Sequence, residues 1–241
     1  MLKLNQVTKI YRLGKVDVTA LQDINMNVAA GDFLALAGPS GSGKTTILNI
    51  LGCLDTPTNG EAILEGYNLS ALSFREKTKL RREKIGFIFQ SFNLIPVLNV
   101  YENVEYPLLL ENIPAHERRK KIMAVLEEVG LKERAKHLPG ELSGGERQRA
   151  GIARALVKKP SIILADEPTA NLDSVSGNNI IDLLQKLNRD EKVTIIFSSH
   201  DLQILSKAHS LLNLRDGKIV AMKRNSKFEE QEISDDAVTN L

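Results

Sequence analysis

The chain has 241 residues, of which 42% are hydrophobic and 26% are charged, as in an ordinary globular protein with a sizeable core. Its 32 basic and 30 acidic residues nearly cancel, and a net charge of +2 excludes a general electrostatic attraction to nucleic acid. The single cysteine excludes an internal disulfide and favours a reducing compartment.

Strands are predicted from the N-terminus to about residue 68. The run FLALA, Phe33–Ala37, has the composition of a short buried strand and ends directly at a glycine-rich loop. After that loop, apolar residues between positions 47 and 51 have helical spacing, and Gly52 begins a segment that ends the helix. The predicted order is therefore strand, glycine loop, helix.

The middle of the chain, from about residue 90 to 160, has several helical patterns and few strand-like runs. One helix is predicted over residues 116 to 129, with Gly130 at its C-terminal end. Strand signals return in SIILA (Ser161–Ala165) and VTIIF (Val193–Phe197), with a helix between them. Alternating strands and helices predict an α/β fold with a parallel sheet, whose ligands bind beyond the carboxyl ends of the strands.

The glycine-rich loop GPSGSGKT matches a phosphate-binding pattern whose fixed positions are Gly38, Gly43, Lys44 and Thr45. In such a loop the glycines let backbone N–H groups turn inward, the lysine reaches the β- and γ-phosphates, and the threonine hydroxyl contacts Mg²⁺. Since the pattern follows a strand and opens a helix, we predict an ATP-binding site formed by Gly38, Pro39, Ser40, Gly41, Ser42, Gly43, Lys44, Thr45 and Thr46.

Two adjacent carboxylates end the apolar strand IILADE. Carboxylates at a buried strand end need a cation or hydrogen-bond donors. We therefore predict Asp166 on the metal side, contacting Mg²⁺ through water, and Glu167 as the group that polarises a water for attack on the γ-phosphate. Two further strand-like runs end at Gln90 and His200. Because ligands bind beyond the carboxyl ends of parallel strands, a rule we call the strand-end rule, we expect both side chains near the same phosphates. Gln90 is predicted as a metal contact and His200 as a catalytic group.

The segment LSGGE, at residues 142 to 146, lies between the phosphate-binding loop and the paired carboxylates. This combination resembles the nucleotide-binding subunit of an ABC transporter over about residues 1 to 222. The resemblance implies a P-loop ATPase fold with a RecA-like parallel-sheet core (residues 1–89 and 160–222), an N-terminal antiparallel β-subdomain, and a helical subdomain (residues 90–159). Residues 223–241 would form a polar tail.

The resemblance also implies roles for single residues. Tyr11 would stack on adenine, Gln90 would be the Q-loop glutamine and His200 the switch histidine. Asn171, Leu172 and Asp173 would form the D-loop. The signature residues would contact the ATP of a second subunit, so the working unit would be a head-to-tail homodimer; these residues are Ser143, Gly144, Gly145 and Glu146.

Longer stretches, among them NILGCLDTPTNGE and EPTANLDS, resemble the branch that serves lipoprotein-release and macrolide-export permeases. This implies a separate integral membrane permease as partner, the segment after Gln90 as part of the groove for its cytoplasmic helix, and no nucleic-acid partner. The chain starts without the apolar stretch of a signal peptide and has no run of about 18 apolar residues. We therefore expect a cytoplasmic location, peripheral on the inner face of the membrane.

Three alternatives remain open from the sequence. The chain could serve an ABC importer, or it could be a non-transport ABC ATPase in DNA repair or translation. Proteins of the second kind typically carry long coiled-coil insertions or two cassettes, and neither is present here. A P-loop switch or small-molecule kinase is the third alternative, against which LSGGE and the later histidine argue.

Overall fold

The computed structural model describes residues 1–111 and 113–224 of the chain. These residues form two β-sheets and two groups of helices. The ten strands are β1 (Leu2–Leu13), β2 (Val16–Val28), β3 (Phe33–Ala37), β4 (Asn59–Leu64), β5 (Tyr67–Asn68), β6 (Ile85–Ile88), β7 (Ile162–Ala165), β8 (Thr194–Ser199), β9 (Ser210–Arg215) and β10 (Lys218–Arg224).

The described α-helices are α1 (Lys44–Leu51), α2 (Phe74–Lys84), α3 (Val100–Glu105), α4 (Ala115–Glu128), α5 (Gly144–Leu156), α6 (Ser174–Glu191) and α7 (Leu202–Leu205). Short 3₁₀ turns connect several of them. None of the helices in the described ranges combines the length and the apolar character that crossing a bilayer requires.

The central sheet has the strand order β10-β9-β3-β8-β7-β6. Strands β9, β3, β8, β7 and β6 are parallel, and β10 joins the edge as an antiparallel partner of β9. Every residue of β3, β7 and β8 is buried, because helices and the second sheet cover both faces. The carboxyl ends of β3, β7 and β8 therefore lie side by side at one edge, which confirms the predicted parallel core.

The second sheet is antiparallel and has the order β2-β1-β4-β5. Along its strands, residues that face inward alternate with residues that face solvent. The inner face buries apolar side chains such as Leu2, Leu4 and Ile24. These side chains share one core with α1 and one face of the central sheet. The opposite face of the central sheet packs against α3, α4, α5 and α6. The predicted β-subdomain and helical region thus cover opposite faces of one parallel sheet.

Helix α4 occupies residues 115 to 128, one residue earlier than predicted at each end. Gly130 follows with a positive φ of 70°, the left-handed conformation that commonly ends helices. Strand β10 continues to Arg224, so the predicted start of the tail at residue 223 is wrong. Pairing with β9 holds these last two residues in the sheet, and the remainder of the predicted tail, residues 225–241, lies outside the described residues.

Candidate active site

The phosphate-binding loop leads from the end of β3 into the N-terminus of α1. Gly43 occupies the N-cap position with φ 105°, and no side chain caps the helix. The first turn of α1 contains no acidic residue, so the positive end of its dipole is not neutralised from within the helix. An open helix N-terminus without a side-chain cap is suited to binding an anion.

Glycine is required where the loop approaches other backbone. Gly38 has φ 145°, and a Cβ at this position would lie 2.2 Å from the carbonyl oxygen of Leu214. A Cβ at Gly43 would lie 2.8 Å from the carbonyl oxygen of Ala20. Both distances exclude a larger residue, so the glycines fix the loop against the neighbouring strands. Within the loop, Ser42 is only 2% exposed and its hydroxyl oxygen has no partner in the described structure.

Lys44 supplies a nearly buried positive charge at the start of α1. Its side chain donates hydrogen bonds to the carbonyl oxygens of Gly38 at 2.7 Å and Pro39 at 3.0 Å. The described residues give this ammonium no carboxylate partner, although only 6% of Lys44 is exposed. A buried cation without a counter-ion is costly, and a bound phosphate would supply that counter-ion. The loop is thus suited to a polyphosphate.

Asp166 joins the phosphate-binding loop to two strand ends. Its Oδ2 accepts a hydrogen bond from the hydroxyl of Thr45 at 2.9 Å, and its Oδ1 accepts one from Ser198 at 2.7 Å. Ser198 also accepts a hydrogen bond from the backbone N–H of Glu167 at 2.8 Å. The fully buried serine thereby positions both carboxylate residues. The sequence analysis missed it, although Ser198 belongs to the polar end of the run IIFSSH.

Replacing Ser198 with alanine should weaken the protein and slow catalysis. The backbone N–H of Glu167 would lose its buried acceptor, which should lower the free energy of unfolding by about 1–3 kcal/mol. Denaturant unfolding and steady-state hydrolysis would measure both effects. Ser210→Ala, a buried serine at the start of β9, is the matched control and should retain the wild-type rate. A wild-type free energy of unfolding and a wild-type hydrolysis rate in Ser198→Ala would contradict the role of Ser198 in positioning Asp166 and Glu167.

Glu167 and His200 lie together beside the loop. His200 Nδ1 is 3.5 Å from Glu167 Oε1, and Glu167 has a positive φ of 43°, an uncommon conformation for a residue with a side chain. Each of the two residues lines a different pocket. Glu167 lines one of about 170 Å³ together with Ala20, Ser40, Gly41, Gly43, Lys44, Thr45 and Thr46. His200 lines a pocket of about 640 Å³ with Gly38, Pro39 and residues of α7, β9 and β10.

Gln90 follows β6 at the same edge of the sheet. Its backbone carbonyl accepts a hydrogen bond from Asn171 at 3.0 Å, but its side chain has no hydrogen bond to Thr45 or Asp166 among the described residues. Its predicted role at the metal therefore stays a prediction. Gln148 of α5, which the sequence analysis did not select, is fully buried and donates to the carbonyl oxygen of Pro168 at 2.7 Å.

The signature segment forms the N-terminus of α5. Ser143 is the N-cap and forms a capping box with Glu146, in which each side chain accepts a hydrogen bond from the backbone N–H of the other residue. The hydrogen bond from the backbone N–H of Ser143 lowers the pKa of Glu146, and the Arg134 guanidinium at 3.1 Å acts in the same direction. Gly144 lies so close to the D-loop that a Cβ would be 3.1 Å from Leu172.

The signature segment does not line the pocket of its own phosphate-binding loop. Ser143, the N-cap residue of α5, is exposed at the surface. The adjacent D-loop residue Asp173 caps α6 by accepting a hydrogen bond from the backbone N–H of Ser176. The structure therefore presents two separate helix starts, one in the pocket and one on the surface.

Tyr11 lies in β1, near the phosphate-binding loop but outside the smaller pocket. Its hydroxyl donates to Asp55 at 2.7 Å, and Lys9 lies 4.8 Å from the centre of its ring. Burial and the hydrogen bond to Asp55 raise the pKa of Tyr11. These contacts hold the ring in place, and its stacking on adenine stays a prediction.

The residues present fit Mg²⁺, although no group of three or more His, Cys, Asp or Glu side chains in residues 1–111 and 113–224 is placed to hold a metal. Mg²⁺ usually keeps several waters and takes one or two carboxylates together with substrate phosphates. The adjacent oxygens of Thr45 and Asp166 meet this need, because no cation of the protein pairs with Asp166 in the described ranges.

Comparison with known proteins agrees with this geometry. The family model described as "ABC transporter" matches residues 21–170, more than half of the chain. An ABC transporter ATP-binding protein of Methanocaldococcus jannaschii, MJ0796, is 45% identical over 235 residues, which cover 96% of this chain and 100% of that protein. A dimeric structure of the MJ0796 cassette in a post-hydrolysis state with ADP and Pi has a TM-score of 0.86 and 44% identity, covering 93% of this chain and 98% of that one.

A larger relative is the macrolide export ATP-binding/permease protein MacB of Hyphomonas neptunium. It is 43% identical over 232 residues, which cover 96% of this chain but only 36% of that protein. The present chain therefore resembles about one third of MacB.

Proposed function

The chain belongs to the ABC transporter family as an ATP-binding subunit, and we propose that it works as a head-to-tail homodimer that energises a membrane permease. It is an ATPase that hydrolyses ATP to ADP and phosphate and energises a transporter. The features proposed here are the dimer geometry, the role of each site residue, the permease and its direction of transport.

Hydrolysis uses residues that the sheet edge brings together. Lys44 and the N-terminal N–H groups of α1 bind the phosphates. Thr45 and Asp166 would hold Mg²⁺, which would supply positive charge to a bound nucleotide. Glu167 accepts a proton from the attacking water. His200, 3.5 Å from this carboxylate, orients it and contacts the transferred phosphate.

The location of the signature segment is the observation that carries the dimer proposal. An exposed helix start outside the pocket of its own chain can bind the phosphates of ATP held by another chain. ATP then favours closure because its γ-phosphate contacts Ser143, Gly144 and Gly145 only in the closed pair. Hydrolysis removes this differential contact and reopens the pair. The structure of the MJ0796 cassette with ADP and Pi is dimeric, which supports a dimer here as well.

The segment after Gln90 forms one side of a groove of about 360 Å³, which we call the Q-loop groove. It is lined by Ile85, Phe87, Phe89, Asn93, Ile95, Tyr106, Pro107, Arg154, Ala155 and Lys158. Exposed apolar side chains at Val97, Leu109 and Leu110 lie close by in sequence. We assign this groove to a cytoplasmic helix of the permease, and the chain then lies peripherally on the inner face of the membrane.

Export or release from the inner membrane is the direction that we propose, because the name of the MacB relative combines an ATP-binding part with a macrolide-exporting permease. The permease of the present chain is proposed to be a separate protein. Import is the second candidate, because the ATP site described above does not by itself determine the direction of transport.

The function is tested by affinity purification of the tagged chain from detergent-solubilised membranes. We expect a multi-span membrane protein to co-purify in stoichiometric amount and to stimulate ATP hydrolysis. Deleting the gene for that membrane protein should leave the chain in the soluble fraction. Recovery of ribosomes or DNA in place of a membrane protein would contradict the proposal and favour a non-transport ABC ATPase.

A further inference from the structure

The Q-loop groove contains two cations among its apolar residues. Its walls come from β6, from the segment after Gln90 and from the 3₁₀ turn at Tyr106–Leu110. Its base includes Arg154 of α5 and Lys158, which follows that helix. A segment that binds in this groove must therefore match both the apolar walls and the two positive charges.

Within residues 1–111 and 113–224, the partners of the Arg154 side chain are backbone carbonyls. Its guanidinium donates to the carbonyl oxygens of Phe92, at 2.9 Å, and Asn93. A guanidinium has five N–H donors, and no carboxylate of the described residues forms an ion pair with this one. Burial lowers the pKa of Arg154, with no opposing effect from a nearby acid. The Arg154 guanidinium is therefore an incompletely paired cation in the lining of the groove.

Lys158 has the same character. Among the described residues its ammonium donates one hydrogen bond, to the carbonyl oxygen of Arg81 at 2.8 Å, although it carries three donors. Burial lowers the pKa of Lys158 to about 8, and the more distant Glu111 opposes this shift without forming an ion pair. A carboxylate placed in the groove would supply a counter-ion to these cations.

We propose that the permease segment bound in the Q-loop groove presents an Asp or Glu carboxylate to Arg154 and Lys158, between apolar side chains that pack on Phe87, Phe89 and Ile95. This inference rests on the proposed function. Binding of an apolar segment without an acid would bury two unpaired cations further, which opposes association. A carboxylate removes that cost and sets the register of the bound segment.

The first step of the test locates the bound segment. Tyr106, an exposed aromatic of the groove, is replaced by a photo-reactive phenylalanine derivative in the intact complex with the co-purified permease. Mass spectrometry then identifies the crosslinked peptide. We expect a cytoplasmic permease segment with an Asp or Glu within one helical turn of the crosslink. A segment without an acid overturns the inference and leaves the proposed function intact, whereas the absence of any membrane-protein crosslink overturns both.

The second step measures the charge pairing. Lys158→Met keeps the aliphatic stem of the side chain and should weaken permease binding at least about tenfold, with ATP binding and basal hydrolysis unchanged. Lys159→Met, at the exposed neighbouring lysine outside the groove, is the matched control and should bind normally. Lys158→Glu combined with Lys at the permease acid should recover affinity that either change alone removes. Wild-type affinity in Lys158→Met, or no recovery in the exchanged pair, would overturn the inference.

Discussion

Replacing Glu167 with glutamine is expected to reduce ATP hydrolysis by about 10²- to 10⁴-fold while ATP still binds. The amide cannot accept the proton of the attacking water, but it keeps the size of the side chain. The backbone contact between Glu167 and Ser198 is unaffected, because it uses the N–H of residue 167 and not its side chain. ATP should therefore hold the variant in the closed state, and size-exclusion chromatography should show an ATP-dependent dimer.

The matched control is Glu133→Gln, which removes an exposed acid in a 3₁₀ turn of the helical region. This variant should hydrolyse ATP at the wild-type rate and show no ATP-stabilised dimer. Normal hydrolysis in Glu167→Gln would instead require a different proton acceptor and would remove Glu167 from the mechanism.

Mixing two inactive variants should restore activity if the signature segment serves a second chain. Lys44→Ala removes the buried phosphate-binding cation, and Ser143→Arg blocks the exposed start of α5, so each homodimer should be inactive. A mixed dimer pairs the intact loop of one chain with the intact signature of the other. With random exchange and independent sites, the mixture should reach about a quarter of the wild-type rate. A coupled ATPase assay over a range of mixing ratios measures this recovery.

A second mixture controls for non-specific rescue. Lys44→Ala and Glu167→Gln both damage the loop side of the site, so their mixed dimer contains no complete site and should remain inactive. The Ser143→Arg variant should also bind ATP normally by itself. An inactive Lys44→Ala and Ser143→Arg mixture would contradict the head-to-tail assembly.

The sequence predicted the order of the central strands and helices well, because those elements have strong apolar patterns and clear ends. It did not predict α2, Phe74–Lys84, which has one buried residue, Leu80, and hence no apolar period. The sequence pattern that could have predicted α2 lies at its N-terminus. There Ser73 and Glu76 form a capping box like that of Ser143 and Glu146. Capping residues can therefore reveal a helix that hydrophobic periodicity misses.

The strand-end rule placed the proposed reacting groups at one sheet edge but did not predict the residues that support them. Asp166, Glu167 and His200 lie at one sheet edge, as expected from polar residues that follow apolar strands. Ser198 and Gln148 act through hydrogen bonds to residues far away in the sequence, and no local pattern marks such partners. The side-chain position of Gln90 could not be obtained either, since it depends on a sharp loop in which Phe92 and Asn93 both have positive φ.

The D-loop connects two parts of the site that the chain keeps far apart in sequence. Asn171 binds the carbonyl oxygen of Gln90, and Leu172 lies against Gly144 at the start of α5. A displacement of any one of these segments must therefore shift the others. In the proposed pair, occupancy of one ATP site would change the affinity of the other, and hydrolysis would rise sigmoidally with ATP concentration, with a Hill coefficient above one. The shortfall of the mixture of Lys44→Ala and Ser143→Arg below a quarter of the wild-type rate would then measure this cooperativity directly.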